Sequence, residues 1–382
     1  MFVDRISSLK NQEKEFLEIN KKAAQKELDE VILKIESNEK LDWRDLAVLL
    51  SEVSLKKENL GYLVQLAYNK TIERFGKVIK FYVPLYLSNY CINSCLYCSF
   101  AAVNKINRKV LTIEEAKLEL EAIKKMGFKH ILLVAGEDPT NINVNYLSEI
   151  ISFAKNELGI ASVSIEVSPF EENEYKKLVK SGLDGLTLYQ ETYHKDTYLE
   201  VHRGRKRNYE KRLMYPEYAA KAGIRKFNFG VLLGLYDHII ESFYLYHHVK
   251  YFEKNYWQVH LGVNFPRIRP MYGGFKPKYP VSDKELVRMI VAFRLMFEDI
   301  DLVLSTRESA EFRDFMLGIG ITQISAGSKT YVGGYFKNYA KVEEDIGQFE
   351  IADTRTVKEV ENAVKNKGFE VVWKDWQEVM FG

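Results

Sequence analysis

The cysteines constrain this chain most. There are three in 382 residues, and all lie within Cys91-Ile92-Asn93-Ser94-Cys95-Leu96-Tyr97-Cys98. An odd, clustered set makes a poor disulfide framework, which would staple distant loops with even numbers. Clustering points to a metal or redox centre. Structural zinc takes four ligands, so a zinc site here would need a histidine from another segment, such as His130. Three thiolates at this spacing suit three corners of a 4Fe–4S cluster, leaving one iron open to a small molecule.

The chain around this loop reads as α/β. From Val78 onward, short and often β-branched apolar runs alternate with charged amphipathic stretches. The runs predict strands at Val83–Leu87, Ile131–Ala135, Val163–Val167, Leu186–Tyr189, Lys226–Val231, Val259–Phe265, Leu302–Ser305 and Gln323–Ser325. Helical spacing fills the intervals, at Ile113–Met126, Asn145–Leu158, Glu171–Ser181, Arg207–Ala222, Ile240–Asn255, Ser282–Phe297 and Ala310–Ile319. Thr112 and Ser282 stand where N-caps belong, and Gly127, Gly182 and Gly223 where helices stop. Eight strands with helical crossovers predict a (β/α)8 barrel over residues 78–339. A doubly wound open sheet shares the same local pattern.

Residues 1–77 read as a helical extension. Phe16, Ile19, Ala23, Leu28, Ile32 and Ile35 form one loose stripe between Leu9 and Ser37, Asp42 can cap a second helix through Leu50, and a third spans Lys57 to Phe75. Residues 340–382 form a tail expected to pack on the barrel. It holds a helix at Val357–Lys367, a strand at Phe369–Val372 and then Trp373-Lys374-Asp375-Trp376. A 46% hydrophobic and 28% charged composition is ample for a core and wrong for a disordered chain. The formal net charge of +2 leaves no basic excess for coating a polyanion, so no nucleic-acid partner is expected. No apolar run approaches the ~18 residues of a membrane span, and Met1–Lys10 lacks the apolar core of a secretory signal. A cytoplasmic protein with no membrane partner is the expectation.

The cysteine spacing, with an aromatic before its last member and a place after the first barrel strand, resembles the radical S-adenosylmethionine (SAM) superfamily. Longer segments narrow the resemblance. Leu85-Tyr86-Leu87-Ser88-Asn89, Tyr189-Gln190-Glu191-Thr192-Tyr193-His194 and Ser305-Thr306-Arg307-Glu308-Ser309 look like the aromatic amino acid lyases of that superfamily. The similarity runs from around Lys40 to the terminal Trp-Lys-Asp-Trp and is greatest to the tyrosine-cleaving branch of thiamine thiazole biosynthesis. The related hydrogenase-maturation lyase carries a C-terminal domain with its own cysteines. This chain has none beyond Cys98, so that chemistry lacks its ligands. The tryptophan lyase shares the barrel and the radical step and differs in its substrate pocket. Tryptophan, or another aromatic amino acid, is therefore the alternative substrate.

The resemblance implies a 4Fe–4S cluster on Cys91, Cys95 and Cys98, with SAM on the open iron. Function in such a barrel gathers at strand C-termini. Ala135-Gly136-Glu137 resembles the glycine-rich segment that holds the SAM amino group: Glu137 suits an ammonium, and Gly136 lets backbone approach the ligand. Glu191 stands where relatives set a carboxylate against the ribose. Glu166 is a second candidate, with a surface or core-edge glutamate as the competing reading. Tyr97 occupies the position of an aromatic beside the adenine. Arg212, in Tyr209-Glu210-Lys211-Arg212-Leu213, resembles the arginine whose planar fork grips the SAM carboxylate. Arg203, Arg205, Lys206, Arg207 and Lys211 around it read as a solvated basic face.

Arg307, ending the seventh strand, is expected to hold the substrate carboxylate, because a charge at a barrel mouth is costly without a partner. An internal pair with Glu308 is the competing reading. Ser305, Ser325 and Ser328 are candidate donors to the same carboxylate. Tyr86, on the first strand, is expected near the substrate amine, and Tyr86, Arg307 and Ser325 form the expected catalytic set. Pro266-Arg267-Ile268-Arg269-Pro270 reads as loop structure or cluster-side electrostatics. Tyr331-Val332-Gly333-Gly334-Tyr335 lacks a following Gly-Lys-Ser/Thr and reads as a turn.

The implied activity is reductive cleavage of SAM to methionine and a 5′-deoxyadenosyl radical, which takes a hydrogen from the tyrosine amino group. The Cα–Cβ bond then breaks to 2-iminoacetate (dehydroglycine) and, after reduction and protonation, p-cresol. Implied partners are L-tyrosine, the thiazole synthase and a flavodoxin- or ferredoxin-type electron donor. A non-catalytic Fe–S scaffold is the competing class. Glu137, Glu191 and Arg212 argue against it, since an electron carrier has no use for a SAM cradle.

Overall fold

The computed structural model describes residues 1–336 and 346–373, and its strands are all parallel. They are β1 (Val78–Ser88), β2 (His130–Ala135), β3 (Ser162–Glu166), β4 (Gly185–Thr187), β5 (Lys226–Gly230), β6 (His260–Asn264), β7 (Asp301–Leu304), β8 (Gln323–Ser325) and β9 (Glu370–Val372). β1 pairs with β2 on one side and β8 on the other, closing β1–β8 into a barrel and excluding the open sheet. β9 adds to the outside of β1 along Val78–Lys80.

β1 begins at Val78 rather than Val83, and the reason is electrostatic. Lys80 turns into the barrel, where its Nζ lies 2.6 Å from the Asp301 carboxylate. His260 Nε2 is 2.8 Å from the same carboxylate, and the Thr322 hydroxyl donates to it at 2.6 Å. Burial opposes the Asp301 charge, but Lys80 and His260 outweigh it and hold the carboxyl well below its usual range. Lys80, His260 and Asp301 line a polar interior cavity of about 670 Å³. A search for apolar runs does not see strand ends whose inward residues are charged.

The expected helix between Leu9 and Ser37 is two helices, Lys10–Lys22 and Gln25–Glu36, broken at extended Ala23 and Ala24. The break lets Phe16 on one and Leu28, Val31 and Ile35 on the other all reach the core. Thr112 and Ser282 close capping boxes on Ile113–Lys125 and Asp283–Met296. The helix expected at 145–158 ends at Ser152 and unwinds into a π turn over Phe153–Glu157. Among the described residues no helix is long and apolar enough to cross a membrane.

Helix Val357–Asn366 and β9 stand within a residue of expectation. Trp373 packs edge-on to Phe81 and Phe128, at 5.3 and 5.4 Å. Lys374, Asp375 and Trp376 lie outside the described residues. Residues 346–356 cross the C-terminal mouth of the barrel as a strap. Gln348 N donates to Thr330 O at 2.8 Å, Glu350 N to Pro270 O at 3.0 Å and Ala352 N to Thr306 O at 2.9 Å. Asp353 pairs with Arg313, both side chains being only 1% exposed, and with Arg355 at 2.8 Å. Arg313 also donates to the Ser325 carbonyl, so the strap is bolted to the end of β8.

Asp353→Ala leaves Arg313 buried without its counter-charge. Urea denaturation should show a loss of about 3–5 kcal/mol, with earlier proteolysis in the strap. A loss within the range of an exposed ion pair, about 1 kcal/mol or less, would show that this pair does not hold the strap.

Candidate active site

The cysteine loop follows β1 and is held chiefly by backbone. Ile92 N donates to Glu137 O at 2.9 Å, Leu96 N to Val201 O at 3.0 Å and Ala102 N to Asn93 O at 2.7 Å. The Arg108 guanidinium donates to the carbonyls of Asn89, Phe100, Ala101 and Asn104. Gly136, just past β2, lies so close to this loop that a Cβ would stand 2.2 Å from the Tyr90 carbonyl oxygen. Contact with the loop thus requires glycine here, and Gly136 also lines the cavity described next.

Cys91, Cys95 and Cys98 all line one cavity of about 1030 Å³ at the C-terminal end of the barrel. Burial pushes the Cys91 thiol up, Cys98 to about 11 and Cys95 to about 12. Without a metal the three stay protonated, and only a strongly bound cation stabilises them as thiolates. Among the described residues no group of three His, Cys, Asp or Glu is arranged to hold a single metal ion. All three thiols open on this one cavity, a donor set whose chemistry fits three corners of an iron–sulfur cluster.

A charged cradle adjoins the thiols. Asn93 Nδ2 donates to Glu137 Oε2 at 2.8 Å. Arg212 anchors its fork on the Tyr189 carbonyl at 3.0 and 2.8 Å and reaches Glu137 at 3.7 Å and Glu191 at 3.9 Å. Glu191 has a left-handed φ of 70°, a strained backbone for a non-glycine residue at a cavity wall. Its carboxylate lies 2.7 Å from Lys206 Nζ. Lys206 corrects the solvated-face reading, since its side chain is only 14% exposed while Arg203, Arg205 and Arg207 around it are exposed. Burial works against the Lys206 ammonium, yet Glu191, with Cys95 and Glu137, holds its pKa above the usual value. Tyr97, also on the wall, meets His202 Nε2 at 2.6 Å. Glu166 lines the same cavity, and among the described residues no hydrogen bond or ion pair closes on its carboxyl. Burial, then Glu191, pushes that carboxyl up to about 7 against the pull of Arg307, Lys206 and Arg212.

Arg307 also lines the cavity, and the internal pair weighed for it does not form. Glu308 is held by Arg267, whose Nε lies 3.1 Å from both carboxylate oxygens and whose Nη1 is 2.6 Å from Asp283. Arg307 instead lies 3.3 Å from the centre of the Phe349 ring, and no carboxylate pairs with it among the described residues. Phe349 and Gln348 bring the strap into the cavity wall.

Four expected residues stand off this wall. Tyr86 donates from its hydroxyl to Gln348 Oε1 at 2.8 Å and packs edge-on to Phe100. Ser305 Oγ accepts from Arg307 N at 3.4 Å, and Ser325 Oγ from Thr306 N at 3.1 Å. Ser328 faces a neighbouring recess beside the strap, where its buried hydroxyl has no partner among the described residues. Tyr189, which accepts from Asn264 at 2.7 Å, lines both this cavity and the polar interior.

A parallel barrel with a three-thiol loop after its first strand, and a charged cradle beside that loop, defines a class of Fe–S barrel enzyme. The Radical SAM superfamily matches residues 85–246, and the Biotin and Thiamin Synthesis associated domain matches residues 264–370. The first span holds the cysteines and the cradle, and the second holds Arg307, Gln348 and Phe349. The 2-iminoacetate synthase of Escherichia coli (strain K12) is 41% identical over 87% of this chain and 86% of its own. That of Salmonella typhimurium (strain LT2) is 39% identical over the same shares. The X-ray structure of the FeFe-hydrogenase maturase HydG from Carboxydothermus hydrogenoformans matches with a TM-score of 0.88 and 31% identity, over 97% of this chain and 85% of that one. The chain belongs to the 2-iminoacetate synthase family of radical SAM enzymes, and membership implies a 4Fe–4S cluster and SAM.

Gly136→Ala should push the loop off β2. Anaerobic reconstitution should then recover little of the parent's iron and sulfide, while far-UV circular dichroism stays unchanged. Full cluster content in that variant would contradict the contact's role.

Proposed function

We propose that this chain is a tyrosine lyase that cleaves the Cα–Cβ bond of L-tyrosine to 2-iminoacetate and p-cresol, with SAM converted to methionine and 5′-deoxyadenosine. The observation that carries the reading is the cavity itself, in which three thiols and a charged cradle share one space with an arginine that no carboxylate pairs with among the described residues. Cys91, Cys95 and Cys98 would bind three irons as thiolates. Glu137 then holds the SAM ammonium, Arg212 its carboxylate and Glu191 its ribose, with Glu166 a second ribose contact and Tyr97 beside the adenine. Lys206, 2.7 Å away, holds the Glu191 carboxylate in place. When bound, the cluster and SAM supply the electron and the carbon radical that takes hydrogen from the substrate amine.

The chain's own task is placement. Abstraction from nitrogen needs the amine held roughly 3–4 Å from the radical carbon, so orientation carries much of the rate. Arg307 grips the tyrosine carboxylate with its planar fork, and Ser305 braces the arginine's backbone. Tyr86 acts through Gln348, and Ser325 through Thr306, as positioning residues. Gln348 and Phe349 keep water from an imine that hydrolyses readily. In this reading residues 78–339 carry the chemistry, residues 1–77 buttress the barrel and the described part of the tail, residues 346–373, closes it. The product passes to a thiazole synthase, and electrons come from a flavodoxin- or ferredoxin-type donor. Thiolates that must stay reduced suit the cytoplasm.

Anaerobically reconstituted protein given SAM, dithionite and tyrosine should release p-cresol with 5′-deoxyadenosine, and tryptophan should yield no cleavage product. 5′-Deoxyadenosine without cresol would overturn the substrate, and neither product from cluster-loaded protein would restore the scaffold reading. Arg307→Ala should cut cresol formation by about 100-fold while SAM cleavage continues. Unchanged tyrosine affinity in that variant would contradict the carboxylate role.

A further inference from the structure

We infer that the solvent face of the cysteine loop is the docking surface for an acidic, low-potential one-electron carrier protein. The inference rests on the reading of this loop as the cluster's cradle, and it assigns a surface to the electron donor.

The loop that turns its thiols inward turns apolar side chains outward. Ile92, between Cys91 and Cys95, is 49% exposed, and Leu96, between Cys95 and Cys98, is 42% exposed. Tyr90 and Val103, at 41% and 74%, flank them. Single exposed apolar residues are ordinary on any surface. Four along one short loop over a buried centre make a patch of the kind that marks an interaction site.

The stretch 201–207 is clamped against this patch. Leu96 N donates to Val201 O at 3.0 Å, and Lys206 N to Asn93 Oδ1 at 2.9 Å. Gly204, at φ 77°, comes so near that a Cβ there would lie 2.6 Å from Asn93 Oδ1 and 3.1 Å from the Ile92 carbonyl oxygen. From the same stretch Arg203, Arg205 and Arg207 are exposed to solvent. Among the described residues none of the three pairs with a carboxylate; Arg203 and Arg207 donate to backbone carbonyls. The acids that could neutralise them are engaged elsewhere: Glu200 by Lys278 at 2.6 Å, Glu210 by Lys195 at 2.5 Å and Glu171 by Lys211 at 2.6 Å. On a chain of net charge +2, this is a local concentration of uncompensated positive charge.

An apolar centre beside a charged rim is the anatomy of a transient protein interface, and a basic rim steers an acidic partner. The choice of an electron carrier follows from position. Ile92 and Leu96 are covalent neighbours of the thiol residues, so a redox group seated on them lies one loop thickness from the irons. The step itself is simple: the reduced carrier loses one electron, the oxidised cluster gains it, and no bond or proton changes hands.

The test uses cluster-loaded full-length protein with reduced flavodoxin, an acidic carrier, as probe. In the double variant Arg205→Glu, Arg207→Glu, the second-order rate of cluster reduction by flavodoxin should fall about ten-fold or more at low salt. Flavodoxin affinity should fall in parallel, and both gaps should close as ionic strength rises. Val103→Glu, a change at the patch and away from the arginines, should slow the same step. Reduction by dithionite, and dithionite-driven SAM cleavage, should match the parent in both variants. Unchanged flavodoxin rates in both variants would overturn the inference. So would equal losses with flavodoxin and dithionite, which would place the effect in the cluster rather than at the surface. A parent chain that assembles no cluster would overturn the underlying reading together with the inference.

Discussion

Contact between the cysteine loop and the end of β2 organises the site. Glycine at position 136 lets the strand end abut the Tyr90 carbonyl, and the Ile92 amide then bonds the Glu137 carbonyl. One clamp thus sets the thiols and the first carboxylate of the cradle at a common wall. Asn93 extends it, bonding Glu137 through its amide and Lys206 through its oxygen, so that the stretch after β4 is drawn to the same place. Barrel closure through β1 and β2 makes this geometry rigid, because the two strands that carry the clamp are paired over five residue pairs.

Charge at the barrel mouth divides into paired and unpaired groups, and the division carries the functional argument. Arg267 with Glu308, Arg313 with Asp353 and Lys206 with Glu191 are internal pairs that hold loops and strap in place. Breaking such a pair is costly, whereas its net worth when whole is modest, so these pairs position more than they stabilise. Arg307 and Glu166 stand apart, both facing the cavity and neither closed by a protein ion pair among the described residues. Partly buried ionisable groups of that kind suit a ligand that arrives to meet them.

Much of this was legible before the structure. Three cysteines at one spacing pointed to a loop that the structure sets at the cavity wall, and the strand–helix rhythm with capping residues gave the barrel. The first residues of β1, Lys80 among them, and Asp301 at the head of β7 fall outside the expected strands because a polar barrel interior inverts the apolar pattern. Lys206 was missed because nothing in a run of basic residues marks which member turns inward; its partner Glu191 is fifteen positions away. Gln348 and Phe349 come from a segment whose path over the mouth depends on Arg313 and Asp353, a pairing that no local rule reveals. Ser328, read as a site residue from its place after β8, faces a neighbouring recess.

The central claim is that three thiolates leave one iron for SAM. Electron paramagnetic resonance of the reduced, reconstituted protein with and without SAM tests it directly. The account predicts a 4Fe–4S signal whose shape changes when SAM binds the open iron. A signal that SAM leaves unaltered would mean that a fourth protein ligand closes the cluster, and would contradict it.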